Sequence, residues 1–448
     1  MSPMPGADGP LGPPPPQQRL ASREFFGIKL GLDTSRALVA ELQHPERAFL
    51  PLIIAGTNGK GSVTAMVARA LRAAGVRVGR YTSPHLVHLR ERFAIDDVDV
   101  GDAALDRALQ AVFDAEDALL ATGRLGQPAT YFELTTAAAF EVFRNAGVDV
   151  AVLEVGLGGR HDATNVAAAP YAAITSIGLD HVAQLGGTLE AIAAEKAGVI
   201  RPGATVVSGV TQEGPARVIE EICASQGARL VRAGDDAAVD AVTDAGETTV
   251  HVRTPVREYG PVHLALRGEH QVANALVAIR LLEALEAGGI GGGREAITTG
   301  LADAAWPGRL ERRRIAGGVD VVLDGAHNPD GAEALARWLR AARFTPMTLV
   351  TGCMRDKDVR GLIAPLLPLA DRVVATAIAF PRALPADALA REVATLAPDL
   401  PVEVVPDPVE AMAMATRQSR RVVVGGSLLL VGVIRAALGT GAGGSDPA

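Results

Sequence analysis

Cysteine is nearly missing from this sequence. Its 448 residues contain two, Cys223 and Cys353. They stand far apart and outside any Cys-x-x-Cys spacing, so neither a disulfide framework nor a cysteine zinc site can be built from them. They read as ordinary small core residues, and a reducing cytoplasm is the expected compartment. Aromatic residues make up only 4%, which points to elements packed through small side chains. Positive charge is also short. The formal charge of −8 supplies no broad field for a phosphate backbone, so nucleic acid is not an expected partner. No apolar run is long enough to span a bilayer, and 428–434 falls far short, so no membrane association is expected. The first residues hold a proline run at 13–16 but no basic stretch leading into an apolar core, which excludes a secretory signal. Residues 1–20 and 441–448 read as disordered tails.

What is present is a rhythm. A short apolar β-branched run leads into a glycine turn, and an alanine-rich helical stretch follows. Residues 52–55, 148–155 and 172–177 read as buried strands, and 63–74 as a helix closed by Gly75. This alternation predicts a mostly parallel sheet with helices on both faces. Ligands of such sheets sit beyond the carboxyl ends of the strands. Residues 235–261 break the rhythm with short alternating pieces and predict an antiparallel appendage. A helix is expected over 270–287. From Gly317 the rhythm restarts, with strands at 319–323, 347–351, 372–377, 402–405 and 421–424. The expected fold class is α/β. An N-terminal P-loop domain over 21–305 precedes a smaller C-terminal Rossmann-like domain over 306–440, with the boundary near Trp306-Pro307-Gly308.

The apolar run at 52–55 feeds straight into Gly56-Thr57-Asn58-Gly59-Lys60-Gly61-Ser62, and a helical pattern follows. Strand, glycine loop and helix form the context a phosphate loop requires. The glycines let backbone N–H groups turn onto phosphate oxygens, and the helix start adds positive potential. Lys60 can bridge the outer phosphates and Ser62 can approach a magnesium ion. The spacing is shorter than the general G-x-x-x-x-G-K-[ST] pattern.

Other polar groups gather at predicted strand ends. Glu154 closes one buried strand, where a carboxylate needs a positive partner; magnesium and Arg160 are the two candidates. Asp180-His181 follows another strand. Lys196 near a helix end is accounted for by the helix dipole. Ser83-Pro84 could be a simple turn or add a hydroxyl to a metal shell. Thr130 could be an N-cap with Glu133 as its capping-box partner.

Taken in order, these segments resemble the Mur-ligase superfamily, and within it the folylpolyglutamate synthase/dihydrofolate synthase family. The segments are 55–62, 82–86, 130–133, 153–160, 162–165, Asp180-His181, 195–198, 270–275, Pro307-Gly308-Arg309, 324–329 and Asp356-Lys357-Asp358. The resemblance covers nearly the whole chain after about residue 20. It implies ATP as co-substrate and magnesium as cofactor, with Ser83, Glu154 and His181 as metal ligands. ATP would be held by the loop from Gly56 to Ser62 and by Asn274, Arg309 and Asp324. Lys60, Lys196 and His327 would be catalytic, Lys196 as a carbamate, in place of the helix-dipole account. The acid substrate would meet Leu30, Gly31 and Leu32, then Thr130, Tyr131, Phe132 and Glu133, and His161, Asp162 and Ala163.

The activity so implied is an ATP-dependent, ADP-forming joining of L-glutamate to dihydropteroate and to reduced folates, by a monomer. A carboxylate does not react with an amine in water, because its carbon is electron-rich and its leaving group poor. Phosphorylation by ATP makes an acyl phosphate that the amine can attack. A monofunctional folylpolyglutamate synthase is the alternative. A ligase acting on a UDP-linked cell-wall precursor is a more distant one, since only about fifty residues precede the loop, too few for a UDP-binding domain. A transport ATPase or a non-catalytic binding protein fits the combined motifs poorly.

Overall fold

The computed structural model describes residues 14–23 and 31–439. Among these, the strands form three sheets. The first holds β1 (Leu50–Ala55), β2 (Val78–Tyr81), β3 (Phe93–Ile95), β4 (Val98–Asp99), β5 (Val150–Glu154), β6 (Tyr171–Ile174), β7 (Thr205–Ser208) and β8 (Arg229–Arg232). Its order is β4-β3-β2-β5-β1-β6-β7-β8. All pairs are parallel except β2–β3 and β3–β4.

β1 shows why its sequence is an unbroken apolar run. Side chains alternate along a strand, and both of its faces are covered. Ile53 and Ala55 join the core beneath the helices Asp102–Ala121 and Tyr131–Ala146. Leu52 and Ile54 join the opposite core, beneath Lys60–Ala73 and His270–Ala287. All four are fully buried, as a parallel sheet between helix layers demands.

The expected antiparallel appendage is a separate three-stranded sheet of β9 (Ala238–Asp244), β10 (Glu247–Arg253) and β11 (Glu258–His263). The last sheet contains β12 (Glu311–Ile315), β13 (Val319–Leu323), β14 (Met347–Thr351), β15 (Ala370–Ala375), β16 (Val402–Val404) and β17 (Arg421–Gly425), ordered β12-β13-β17-β14-β15-β16. Only the edge strand β12 is antiparallel. Its unbroken run of charged residues, Glu311-Arg312-Arg313-Arg314, hid it from sequence reading. No helix among the described residues is long and apolar enough to cross a membrane.

One expected tail needs correcting. Residues 16–20 are not disordered: Pro16–Ala21 is a helix, and Leu20 is fully buried in the first core. Arg19 ties the helix down through Glu116 at 3.3 Å, Asp117, and the Phe113 ring. One buried leucine and a paired arginine outweigh the proline-rich composition around them. Residues 1–13 and 440–448 lie outside the described residues.

The β9–β10 hairpin bridges the two halves. Its turn residue Gly246 accepts a hydrogen bond from Trp338 Nε1 at 2.8 Å, and Trp338 lies in the helix Pro329–Ala341 of the second half. Both groups are buried, so losing the donor leaves the carbonyl unpaired. Trp338→Phe keeps an aromatic ring in the core of the second half, removes the bond and leaves part of the indole's volume empty. It should lower the free energy of unfolding by about 1–3 kcal/mol in urea titration.

Candidate active site between the two halves

The chain leaving β1 passes through Lys60–Ala73 to β2 on one side. The chain leaving β5 crosses to β6 on the other. The carboxyl ends of β1, β5 and β6 therefore share one crevice, where such sheets bind ligands. After Ala55 the backbone turns through Gly56 (φ +146°) and Gly59 (φ +86°). Neither position has room for a side chain. A Cβ would come within 1.9 Å of Thr175 Oγ1 at Gly56 and 2.2 Å of Asn274 Oδ1 at Gly59. Glycine is thus required twice, by conformation and by space. β6 braces the loop. Thr57 N–H donates to the Ser176 carbonyl (2.8 Å), Asn58 N–H to Ser176 Oγ (3.0 Å), and Thr175 Oγ1 to the Asn58 carbonyl (2.6 Å). Lys60 then starts its helix, and no side chain among the described residues caps it. Its first-turn amides face the cleft as donors for an anion.

Two lysines converge on one oxygen. Lys60 Nζ donates to the Gly56 carbonyl at 3.1 Å and to that of Thr57 at 3.2 Å. Lys196, at the end of the helix Leu189–Lys196, donates to the same Gly56 carbonyl at 2.9 Å. Burial lowers the pKa of both. For Lys60 the negative charge of Glu154 opposes that fall. Lys196 is brought down to about 7, by burial first and by the charge of Lys60 second. A helix-end cation facing solvent would not behave this way, so the helix-dipole account of Lys196 does not hold.

Glu154 ends β5, 5% exposed. Burial raises its pKa, and Lys60 is the main opposing influence. Glu154 Oε2 accepts from the Ser83 N–H at 3.3 Å. Arg160, its candidate ion-pair partner, pairs instead with Glu195 at 3.2 Å. His181 lies beyond β6, with a pKa lowered to about 4, chiefly by burial; it is a neutral imidazole at pH 7. On the far side of the loop, Ser62 Oγ accepts from Gln271 Nε2 (3.2 Å), whose Oε1 accepts from Asn274 Nδ2 (2.9 Å).

The second half completes the crevice. Asp324 follows β13 and accepts from the N–H groups of Leu310 (2.8 Å) and Ala326 (2.9 Å). Burial raises its pKa against the opposing charge of Arg309. Asn328 Nδ2 donates to Asn58 Oδ1 across the gap at 3.1 Å. Asp180 of the first half meets two groups of the second: Lys357 Nζ at 2.5 Å and His327 Nε2 at 3.7 Å. The result is a cleft of about 720 Å³. It is lined by the loop from Gly56 to Ser62, by Ser83, Glu154, His181 and Lys196, and by Asn274, Arg309, Asp324 and His327.

The expected acid-binding residues do not line this cleft. Thr130 and Glu133 form a capping box for the helix Tyr131–Ala146. Tyr131 lies under the Arg92 guanidinium (5.2 Å) and Phe132 packs 6.1 Å from Tyr81. His161 is exposed, and Ala163 is buried. Asp162 reaches the cleft wall indirectly, accepting from the N–H groups of Gly156 and Leu157, both at 2.9 Å. Gly31 and Leu32 precede the helix Asp33–Glu41, and Leu30 lies outside the described residues. Sequence reasoning gave no role to Asp180, Lys357 or Gln271. The 180–357 pairing spans 177 positions, and no local spacing reveals it.

Among the described residues no three His, Cys, Asp or Glu side chains form a metal cluster. Glu154 offers a buried carboxylate with no cation in salt-bridge contact among those residues. With the Ser83 hydroxyl and the neutral His181 on the same walls, it suits a hard cation that keeps waters and phosphate oxygens in its shell.

The pairing of Asp180 is sensitive to pH. Burial works against its charge, but His327 and Lys357 beside it outweigh that, and the carboxyl titrates below its usual 3.8. A carboxyl depressed in the folded state stabilises it above the unfolded value, and that contribution fades as pH falls through the folded value. Asp180→Asn should therefore lower the unfolding free energy by a constant amount above about pH 5 and by a shrinking amount below about pH 4, read by denaturant titration across pH.

Comparisons with known proteins agree with this arrangement. The Mur ligase middle domain matches residues 103–282, and the Mur ligase glutamate ligase domain matches 308–428. The dihydrofolate synthase/folylpolyglutamate synthase of Bacillus subtilis (strain 168) is 37% identical over 364 residues, covering 80% of this chain and 83% of that protein. The Mycobacterium tuberculosis folylpolyglutamate synthase complexed with ADP superposes with a TM-score of 0.88 at 34% identity, covering 96% of this chain and 98% of that one. A bifunctional folylpolyglutamate synthase/dihydrofolate synthase with Mn, AMPPNP and L-glutamate bound gives 0.80 at 31% identity, covering 95% and 98%. The chain belongs to the folylpolyglutamate synthase/dihydrofolate synthase family, the ATP-dependent ligases of the Mur ligase superfamily.

Proposed function

We propose that this protein joins L-glutamate to dihydropteroate, making dihydrofolate, and to reduced folates, extending their γ-glutamyl chains, with ATP cleaved to ADP and phosphate. The observation that carries this is the cleft itself: a phosphate loop, a buried strand-end carboxylate and a second-half histidine face one another. The acid's carboxylate oxygen attacks the γ-phosphorus, the bond to the bridging oxygen breaks, and ADP leaves. The glutamate amine then attacks the acyl carbon, phosphate departs, and one proton is released from nitrogen.

Each step has a residue suited to it. The amides of 56–62 and Lys60 take the phosphates and the charge that builds on them in transfer. Asn274, Arg309 and Asp324 hold the remainder of ATP. Ser83, Glu154 and His181 would hold magnesium, which when bound neutralises the transferring phosphoryl group. His327 carries its Nδ1 proton toward the Gly325 carbonyl at 2.9 Å, so Nε2 is free to receive the amine's proton, with Asp180 stabilising the imidazolium that results. The contacts of Asn328 and Asp180 across the gap exclude water from the acyl phosphate.

Lys196 is proposed to act as a carbamate. Its neutral amine adds to CO2, forming a nitrogen–carbon bond and releasing one proton. The pKa near 7 leaves a large fraction unprotonated at neutral pH, where an ordinary lysine has almost none. With 13C-labelled CO2, the chain should show a carbamate carbon signal by NMR that is present at pH 8, fades toward pH 6, and is absent from Lys196→Ala. A variant with full activity would refute the role.

ADP release is the direct assay. Glutamate with either dihydropteroate or tetrahydrofolate should release ADP, and Lys60→Ala should lose at least about 100-fold in rate. Release with tetrahydrofolate alone would make the enzyme monofunctional, and release with neither acid would overturn the folate assignment.

A further inference from the structure

A second cleft, of about 620 Å³, lies beside the first. Its walls are the outer face of the helix Lys60–Ala73, the end of β2 with the loop after it, the linker near Trp306, and the helix Leu428–Ala437. The two clefts meet at Ser83, Pro84, Glu154, Arg309 and Leu428. A molecule lying in the second cleft can therefore end at the reacting centre of the first.

Its lining is rich in arginine, and most of these guanidiniums are engaged. Arg69 pairs with Asp303 at 2.8 Å, Arg72 with Asp97 at 3.2 Å, Arg90 with Asp102 at 3.5 Å, and Arg435 with Glu311 at 3.2 Å. The acid Glu91 is turned to the backbone N–H groups of Leu86, Val87 and His88. Arg80 and Arg309 have no carboxylate within ion-pair distance among the described residues, and Asp97, Asp99 and Glu154 act on Arg80 only at longer range. Arg80 differs from the other arginines of this lining in that its Nε–H is buried without an acceptor. Its guanidinium lies 5.3 Å from the Trp306 ring centroid, which fixes its plane. A buried donor without an acceptor is costly in a folded protein, and an arriving anion removes that cost.

We propose that this second cleft seats the γ-glutamyl tail of an acid substrate that already carries glutamates, with Arg80 donating to an α-carboxylate of that tail. The inference rests on the ligase function proposed above. Three features select this occupant. The volume suits a drug-sized ligand and exceeds the needs of a lone amino acid. The unpaired guanidinium asks for a carboxylate, and a γ-linked chain presents one on each unit. The shared wall at Glu154 places the chain's terminal carboxylate at the phosphate loop.

The test compares three acids at saturating L-glutamate: dihydropteroate, which has no glutamyl carboxylate, tetrahydrofolate monoglutamate, and its tri-γ-glutamate. Beyond any loss common to all three acids through the charge Arg80 lends to Glu154, Arg80→Met should raise KM for the triglutamate by about tenfold or more relative to KM for dihydropteroate, with the monoglutamate between. Arg80→Lys, which keeps the charge and most of the stem, should recover part of the loss. Equal loss with all three acids would mark a structural role and overturn the proposal, as would an unchanged KM for the triglutamate. A raised KM for L-glutamate with dihydropteroate as the acid would place the incoming amino acid here and overturn the tail assignment. Wild-type ADP release with dihydropteroate reads the ligase function separately; its absence removes the basis of both.

Discussion

The carbonyl of Gly56 accepts hydrogen bonds from two lysines at once, Lys60 at 3.1 Å and Lys196 at 2.9 Å. Two ammonium groups on one oxygen repel, and little water is present to screen them. Burial lowers both lysine pKa values, and the charge of Lys60 lowers that of Lys196 further. What remains is a demand for negative charge at this point of the sheet. Phosphate oxygens satisfy it from one side. The proposed carbamate satisfies it from the other, by turning Lys196 from a cation into an anion. The loop could not carry this strain on flexible backbone, and it does not: β6 holds Thr57 and Asn58 through Ser176 and Thr175.

The same charge logic extends across the gap between the halves. Lys357 and His327 reach Asp180 from the second half. Its depressed pKa means that it stays charged at any pH where the enzyme would work. Contact between the halves is electrostatic at the cleft and hydrogen-bonded at the rim, where Trp338 reaches the Gly246 carbonyl, and Leu86 of the first half adds an apolar contact with the core around Val431. Polar contacts of this kind can break and re-form as substrates enter and leave, because they do not depend on a large apolar interface.

Much of this was legible in the sequence, for reasons that particular residues make plain. β13, β14 and the helix His270–Ala287 were readable to the residue, because an apolar run bounded by glycine or by polar residues leaves little choice. The phosphate loop was readable because its glycines serve a local geometry. β12 was not: Arg312 and Arg314 face outward at a sheet edge, and its covered face holds the Glu311–Arg313 ion pair with Ile315 as its one apolar residue. The Pro16–Ala21 helix was hidden for a different reason. Its order comes from Glu116 and Phe113, about a hundred positions away. Lys196 shows the limit most clearly. Its position in a helix predicts a solvated cation, and only the folded chain brings it against Gly56.

Glu154 ties these observations together. A carboxylate at the end of a buried strand, with its pKa raised by burial, would be expected to give up its charge unless cations oppose that. Lys60, then Arg309 and Arg80, do oppose it. Those three belong to three different surfaces: the phosphate loop, the linker and the second cleft. Any anion that arrives on one of these surfaces neutralises part of the field that keeps Glu154 charged. Phosphate on the loop and a carboxylate on Arg80 would each push the Glu154 pKa upward, while a metal ion at Glu154 would pull it down. Glu154 thereby couples the phosphate loop, the linker and the second cleft through their charges.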